Sequence, residues 1–308
     1  MIGGLYHCSV FKIAGVRSLL EKFKPDEAFT KQNAIEIIGQ NDPETHKPNF
    51  KQYENLYLFP RKIGSKLKPD HIFEFVTKKS IFSVGLEIQC TNCELKFWKG
   101  IDNLKSKLRC EFCGYKFEIL SQLKDRDWFY RRSGIFGRDD NQLSAIPIAL
   151  TLHQLHNHFH FKNFVYLTSM SIKPSGANIN ECETDFIILM WDHDGKASLI
   201  VSECKSRNPI EKKDVLNLTK IIDVFPKNRI DTYVLFSKLT KFSDEEVKIC
   251  MTALDLYHKG VILLTDRELE GMHLYDEAKN EFQIDEHAVT WEHMAFNTEI
   301  IFVNKNKK

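Results

Sequence analysis

The 308-residue chain contains no uninterrupted apolar run approaching the roughly 18 residues that a membrane-spanning helix needs. Its N-terminus, Met1-Ile2-Gly3-Gly4-Leu5-Tyr6, lacks the basic stretch and apolar core of a secretory signal. These two absences set the expectation of a cytosolic protein with no membrane partner. Without a secretory signal, disulfides are not expected among the eight cysteines. An excess of charge is also missing, since 43 basic residues face 42 acidic ones for a net charge of +1. Binding to a polyanion usually shows as clustered Lys and Arg, so overall charge neither supports nor excludes a nucleic-acid partner. Residues 1–85 carry no catalytic motif. What remains is ordinary in bulk: 43% hydrophobic and 28% charged residues suit a globular protein, and the length suits two domains or one with an insertion.

Four of the cysteines are not scattered. Cys90-Thr91-Asn92-Cys93 and Cys110-Glu111-Phe112-Cys113 form two CxxC pairs with sixteen residues between them. That spacing is the one expected of a tetrahedral four-thiolate zinc site, with each CxxC presenting two sulfurs to one ion. Gly114 supplies the permissive backbone such a knuckle needs. Strand-like flanks at 86–88 and 115–119 complete a zinc-ribbon pattern. From Cys90 to Leu120 six basic residues (Lys96, Lys99, Lys105, Lys107, Arg109, Lys116) face four acidic ones (Glu94, Asp102, Glu111, Glu118), too even a balance for a phosphate-binding surface. The remaining cysteines, Cys8, Cys182, Cys204 and Cys250, read as small buried hydrophobes.

Ahead of the ribbon, residues 16–23 and 30–39 read as helices, 41–48 as a polar loop and 56–59 as a strand closed by Pro60. Behind it, residues 125–138 mix Trp128, Phe129, Tyr130 and Phe136 with Arg131, Arg132 and Arg138. Such a composition can stack on bases and contact phosphates, and it equally suits an ordered inter-domain loop. Residues 144–161 read as a helix with Ser144 as N-cap, Pro147 in its first turn, and Ile148, Leu152, Leu155 and Phe159 on its core face. His153, His156 and His160 share an adjacent face. Their spacing admits a metal, but no carboxylate accompanies them, which favours a polar helix flank from which one histidine could reach an active site.

The most informative stretch follows. Phe186-Ile187-Ile188-Leu189-Met190-Trp191 is wholly apolar and bounded by polar residues, the pattern of a buried strand. Asp192-His193-Asp194-Gly195-Lys196 carries an Asp-Gly turn signal. A hairpin centred on Asp194 sets Trp191 opposite Ala197, Asp185 opposite Glu203 and Glu183 opposite Lys205. Directly opposed residues have Cβ atoms roughly 5 Å apart, and alternation keeps Glu203 and Lys205 on one face with Cys204 on the other. Two carboxylates at the end of a buried hairpin are costly unless something positive lies between them, and a divalent cation is the usual solution. Further on, residues 209–225 read as an amphipathic helix ended by Pro226, and 233–236 as a strand. Ser243-Asp244-Glu245-Glu246 is a capping box opening a helix to about His258, stopped at Gly260, and 261–264 is another apolar strand. Strand, helix, strand of this length makes a parallel crossover. The expected fold is mixed α/β (α+β), with a mixed sheet flanked by helices. It divides into an N-terminal α+β region at 1–85, a zinc ribbon at 86–120, a linker at 121–142, a catalytic domain at 143–280 and a C-terminal extension at 281–308.

Glu183-Thr184-Asp185, Glu203-Cys204-Lys205, the helix directly after them and the two downstream strands resemble the PD-(D/E)xK nuclease superfamily, with its restriction-endonuclease-like fold. The resemblance covers roughly residues 143–270 and is strongest to the branch holding Mrr-like restriction enzymes and Holliday-junction resolvases. It implies a Mg²⁺- or Mn²⁺-dependent endonuclease acting on nucleic acid, DNA before RNA, in restriction or anti-phage defence. Asp185 and Glu203 would ligate the metal, with the Cys204 backbone carbonyl a further ligand. Lys205 would orient or activate the attacking water. Glu183 matches an extra acid seen in this branch, or positions the lysine. Many members carry a glutamate on the first helix, where this chain has none; Gln142 or Gln154 could substitute. Ser206, Lys212 and Lys213 are weaker candidates for phosphate contacts. The alternatives are a catalytically inactive, zinc-dependent nucleic-acid-binding adaptor and a protein-interaction subunit of a defence complex; a homo-oligomer is open as well. A purely structural account would make Glu203 and Lys205 a buried ion pair and Asp185 a capping residue.

Overall fold

The computed structural model describes residues 4–41, 50, 66–124, 126–138, 141–159, 164–172, 182–191, 196–225, 229–254, 260–284 and 288–304, with the side chains of 141–143 undescribed. Residues 42–48 of the loop expected at 41–48, the strand at 56–59, the Asp-Gly turn at 192–195 and His160 lie outside the described residues. The chain divides into two compact units, residues 1–142 and 143–308.

In the first unit, α1 (Ala14–Lys22), α2 (Lys31–Gly39) and α3 (Pro69–Lys78) accompany a sheet built from β1 (Phe29–Thr30), β2 (Phe82–Gln89), β3 (Lys96–Gly100) and β6 (Phe129–Arg132). The sheet order is β1-β6-β2-β3, with its neighbouring strands antiparallel. A short hairpin, β4 (Lys107–Arg109) with β5 (Lys116–Glu118), completes the unit. Thr30 begins α2 with a capping box, its hydroxyl accepting from Asn33 N–H and the Asn33 side chain accepting in return. The core is aromatic, with Phe29 packed against Phe23, Phe73, Phe82 and Tyr130. Because β2 leads directly into Cys90 and also pairs with β6, the N-terminal region, the first cysteine hairpin (β2–β3) and residues 129–132 share one sheet, while the second cysteine hairpin (β4–β5) forms a two-stranded sheet of its own. Part of the expected linker is therefore a strand. Arg131 stacks on Trp98 at 5.0 Å, and Arg132 is buried and donates to the Leu20 carbonyl at 3.1 Å. Both arginines are thus committed internally.

The second unit is a five-stranded sheet in the order β11-β10-β9-β8-β7. Strands β7 (Phe164–Ile172), β8 (Cys182–Trp191) and β9 (Ala197–Lys205) run antiparallel to one another, while β10 (Ile230–Lys238) and β11 (Gly260–Leu264) extend it in parallel. The expected hairpin followed by parallel strands is present; β7 is an addition that its weak pattern hid. The helices are α4 (Asn141–His158), α5 (Lys212–Ile222), α6 (Asp244–Met251), α7 (Asp266–Glu270), α8 (Ala278–Phe282) and α9 (Trp291–Thr298). One core packs Ile187, Val201, Val234, Phe236, Val261 and Leu263 of the sheet against Val215, Leu218 and Ile222 of α5 and Val247 and Cys250 of α6. Residues of opposite parity on β9 and β10 face α4, where the Ser237 and Thr151 hydroxyls share a hydrogen bond at 2.7 Å.

Several boundaries differ from expectation. Helix α4 starts three residues before Ser144, which places Pro147 inside it, with its carbonyl accepting the Thr151 hydroxyl at 2.8 Å. From Ile146 to Leu155 most of its residues are buried on every side, so it has little amphipathic signature. Helix α5 starts at Lys212 rather than Pro209, because Asp214 reaches back to accept the Glu211 N–H at 2.9 Å. Ser243 and Glu246 do cap α6 as expected, though the helix ends at Met251. Residues 291–298 form α9, which packs on β11: Thr298 Oγ1 accepts the Leu263 N–H at 3.1 Å, and Trp291 is buried. They belong to the core of the second unit.

Candidate functional site

The β8–β9 ladder pairs Trp191 with Ala197 and continues to Phe186 with Ser202, the register of a hairpin centred on Asp194. Beyond Phe186 a side chain enters the pattern. Thr184 Oγ1 donates to the Ser202 carbonyl at 2.8 Å and accepts the Ser202 N–H at 3.3 Å, while Ser202 Oγ donates to the Phe186 carbonyl at 3.1 Å. Thr184 and Ser202 are both buried, so these hydroxyls satisfy backbone groups that water does not reach. The Asp185 carboxylate crosses to the partner strand and accepts the Cys204 N–H through Oδ2 at 2.6 Å.

Glu203 and Lys205 share the face of β9 that looks toward α5, as alternation requires. Lys205 Nζ donates to Glu203 Oε1 at 2.5 Å and lies 3.6 Å from Asp214 Oδ2. Asp214, at the third position of α5, is 6% exposed and was not anticipated as a site residue. Reading α5 from Pro209 put Asp214 a full turn deep in the helix. The usable signal was the Glu211-x-x-Asp214 spacing, which is that of a capping pair and brings Asp214 to the helix start, next to Lys205. Cys204 points the other way, fully buried among the Thr151 and Ser237 hydroxyls, and burial pushes its thiol well above the ordinary range. It contributes its backbone to the site, and its sulfur stays beneath the sheet.

The electrostatics follow from an imbalance. Burial, reinforced by the Asp185 carboxylate, raises Glu203 to about 7. Burial also raises Asp185, against the opposing effects of the Cys204 N–H and Lys205. Burial pulls Lys205 down, but its hydrogen bond to Glu203 and the surrounding carboxylates outweigh this and leave it above the ordinary lysine value. Three carboxylates surround a single ammonium.

The other expected site residues are placed as follows. Glu183 is exposed and pairs with Ser171 of β7; the ion pairs of Lys205 run to Glu203 and Asp214, so the register argument does not carry Glu183 to the lysine. Gln154 is buried and donates to the carbonyls of Glu268 and Gly271, which removes it as a stand-in for a helix glutamate. The Gln142 side chain is undescribed. His153 is buried and pairs with Asn157 at 3.0 Å, and His156 is exposed beside Phe164. Lys213 is paired with Glu211 at 2.8 Å on the surface.

The four cysteines form a second constellation. Their sulfurs all lie within 4.8 Å of one another, with Cys90–Cys113 and Cys93–Cys110 at 3.6 Å. Tetrahedral zinc with bonds of about 2.3 Å separates its sulfurs by about 3.8 Å, so this set could hold one metal ion such as zinc. The two knuckles repeat each other. Asn92 N–H and Phe112 N–H each point at the first sulfur of their pair at 3.4 Å. Glu94 N–H and Gly114 N–H close the turns onto the Cys90 and Cys110 carbonyls. Glu94 and Gly114 both have positive φ, 61° and 72°, which is strained for the glutamate and natural for the glycine. Leu86, Ile88, Phe97, Leu108, Phe117 and Ile119 make a small core under the sulfurs. Lys96, Lys99 and Lys107 are paired with Glu87, Glu111 and Glu118, consistent with the even charge of the hairpins.

No protein-family model matches this chain, and no curated protein matches it in sequence. Among the described residues, no helix is long and apolar enough to cross a membrane.

Proposed function

We propose that the second unit is a metal-dependent nuclease hydrolysing phosphodiester bonds of DNA, and that the four cysteines hold a structural zinc ion. The supporting observation is the convergence of Asp185, Glu203 and Lys205 on one face at the carboxyl end of a buried strand. A purely structural account explains the two closest contacts, the Glu203–Lys205 pair and the Asp185 cap on Cys204. It does not explain the surplus of carboxylate, because a stabilising buried pair would be neutral and a second and third acid only add cost. Two hard oxygen donors with uncompensated charge suit Mg²⁺ or Mn²⁺.

When bound at Asp185 and Glu203, such an ion would supply Lewis acidity and a water that ionises near neutral pH. The protein's own groups do the rest. The Cys204 N–H fixes the orientation of Asp185, leaving its other oxygen free to ligate, and the Cys204 carbonyl is the proposed additional ligand. Lys205 donates to a non-bridging phosphate oxygen or to the attacking water, and its charge stabilises the phosphorane-like transition state. Glu183, exposed and within electrostatic reach of Asp185, adds negative potential at the rim. The choice of DNA, and a role in restriction or defence, rest on the resemblance to the PD-(D/E)xK superfamily.

Purified protein incubated with Mn²⁺ or Mg²⁺ should nick or linearise plasmid DNA or cut branched duplexes. Asp185→Ala, Glu203→Ala and Lys205→Ala should each abolish this. Cleavage that persists in all three variants overturns the reading.

A further inference from the structure

We infer that Asp214 is the positioning residue for Lys205, the anion on which the lysine rests while Glu203 serves a divalent cation. This deepens the nuclease reading and depends on it for its chemistry. In the structure Lys205 Nζ lies between two carboxylates, 2.5 Å from Glu203 and 3.6 Å from Asp214. Once Glu203 turns its charge to a divalent ion, the lysine loses its nearest counter-charge and gains a cationic neighbour. Asp214 is then the anion left beside it. It is suited to that part because it is fixed: its side chain is 8% exposed, and its Oδ2 accepts the Glu211 N–H at the start of α5.

Asp214 acts through the lysine rather than as a third ligand. Among the described residues, the four cysteines are the only set of three or more His, Cys, Asp or Glu side chains whose ligand atoms lie within 4.8 Å of one another. Asp214 therefore does not close a compact donor set with Asp185 and Glu203. Charge counting points the same way. Asp185, Glu203 and Asp214 against Lys205 leave two uncompensated negative charges, which one divalent ion neutralises. Without Asp214 the loaded site carries one net positive charge, and the lysine loses its fixed anion.

Asp214→Asn tests this because the amide oxygen can still accept the Glu211 N–H while the charge is gone. The expected result is a cleavage rate at saturating Mn²⁺ that falls about 10- to 100-fold with the thermal midpoint near wild type, the range for partners that orient catalytic groups. Mn²⁺ affinity, read by calorimetry without DNA, should fall about tenfold. It should recover in Lys205→Met/Asp214→Asn, where the loaded site is neutral again, while cleavage stays lost. Wild-type cleavage and Mn²⁺ affinity in Asp214→Asn, with only Asp214→Ala impaired, would make Asp214 a helix cap and overturn the inference. If the wild type binds Mn²⁺ and cuts no DNA, the nuclease reading fails while the affinity series still decides the role of Asp214. If the wild type binds no Mn²⁺, both fall.

Discussion

Replacing Glu203 with Gln should make the protein more stable above neutral pH when no divalent cation is added. Glu203 is raised to about 7 from an ordinary 4.5, first by burial and then by Asp185. A carboxyl raised in the folded state contributes stability that is fully present below the unfolded value. That contribution is lost as pH rises through the folded value, so the window runs from about 4.5 to about 7. At 1.36 kcal/mol per unit, the full effect is about 3 kcal/mol. The side chain is 17% exposed, so solvent screening removes little of it. For a folding unit of this size that corresponds to roughly 6–12 °C in thermal midpoint. The assay is thermal unfolding of wild type and Glu203→Gln from pH 4.5 to 8, in buffer cleared of divalent ions by a resin, with no free chelator to strip the cysteine site. The two proteins should agree near pH 4.5, diverge progressively between about pH 4.5 and 7, and stay apart above that, with the variant the more stable. Adding Mn²⁺ at pH 8 should then stabilise the wild type and leave the variant unmoved, since ligation rewards the ionised form. Parallel pH profiles, or a variant less stable than wild type at pH 8, would refute the picture of a strained, cation-seeking carboxylate.

Three further outcomes follow from other parts of the molecule. Cys110→Ser should lose the approximately one zinc per chain expected of a four-thiolate site, measured by elemental analysis, and expose residues 82–118 to protease; a stable metal-free wild type would contradict this. Thr184→Val keeps the side-chain shape but removes the hydroxyl bridging both backbone groups of Ser202, and should cost about 1–3 kcal/mol in urea unfolding. Gly260→Ala would set its new Cβ 2.4 Å from the Ala295 Cβ; a loss of about 1–3 kcal/mol is expected, with recovery in Gly260→Ala/Ala295→Gly if the clash is the cause.

The parts of this protein legible in its sequence are those held by local chemistry. The two CxxC knuckles need only a few consecutive residues each, and their spacing led directly to four sulfurs within 4.8 Å. The apolar run ending at Trp191, with its turn signal, led to the β8–β9 register over residues 186–191, because period-2 alternation ties pairing to the hydrophobic pattern. The Ser243–Glu246 capping box and the parallel crossover were likewise readable, since each is specified within a short window. The bounds of α4 were not, because a helix buried on all sides shows no periodic face. Strand β7 was missed for the opposite reason: its residues from Val165 to Ser169 are exposed and carry no alternation of burial.

Sequence by itself determined which residues could do chemistry here: four thiolates, the acids Asp185 and Glu203, and Lys205. Tertiary structure alone decided how they are used. It ended the simple hairpin pairing at Phe186, where the Thr184 side chain takes over the Ser202 backbone and Asp185 accepts the Cys204 N–H. It left Glu183 at the surface and turned Gln154 toward the carbonyls of Glu268 and Gly271. It also brought Asp214, nine positions beyond Lys205 on a different element, to within 3.6 Å of the lysine ammonium. The physical reason is that pairing pattern and capping chemistry act over a few residues, whereas the charge balance of a buried site is set by every element packed around it.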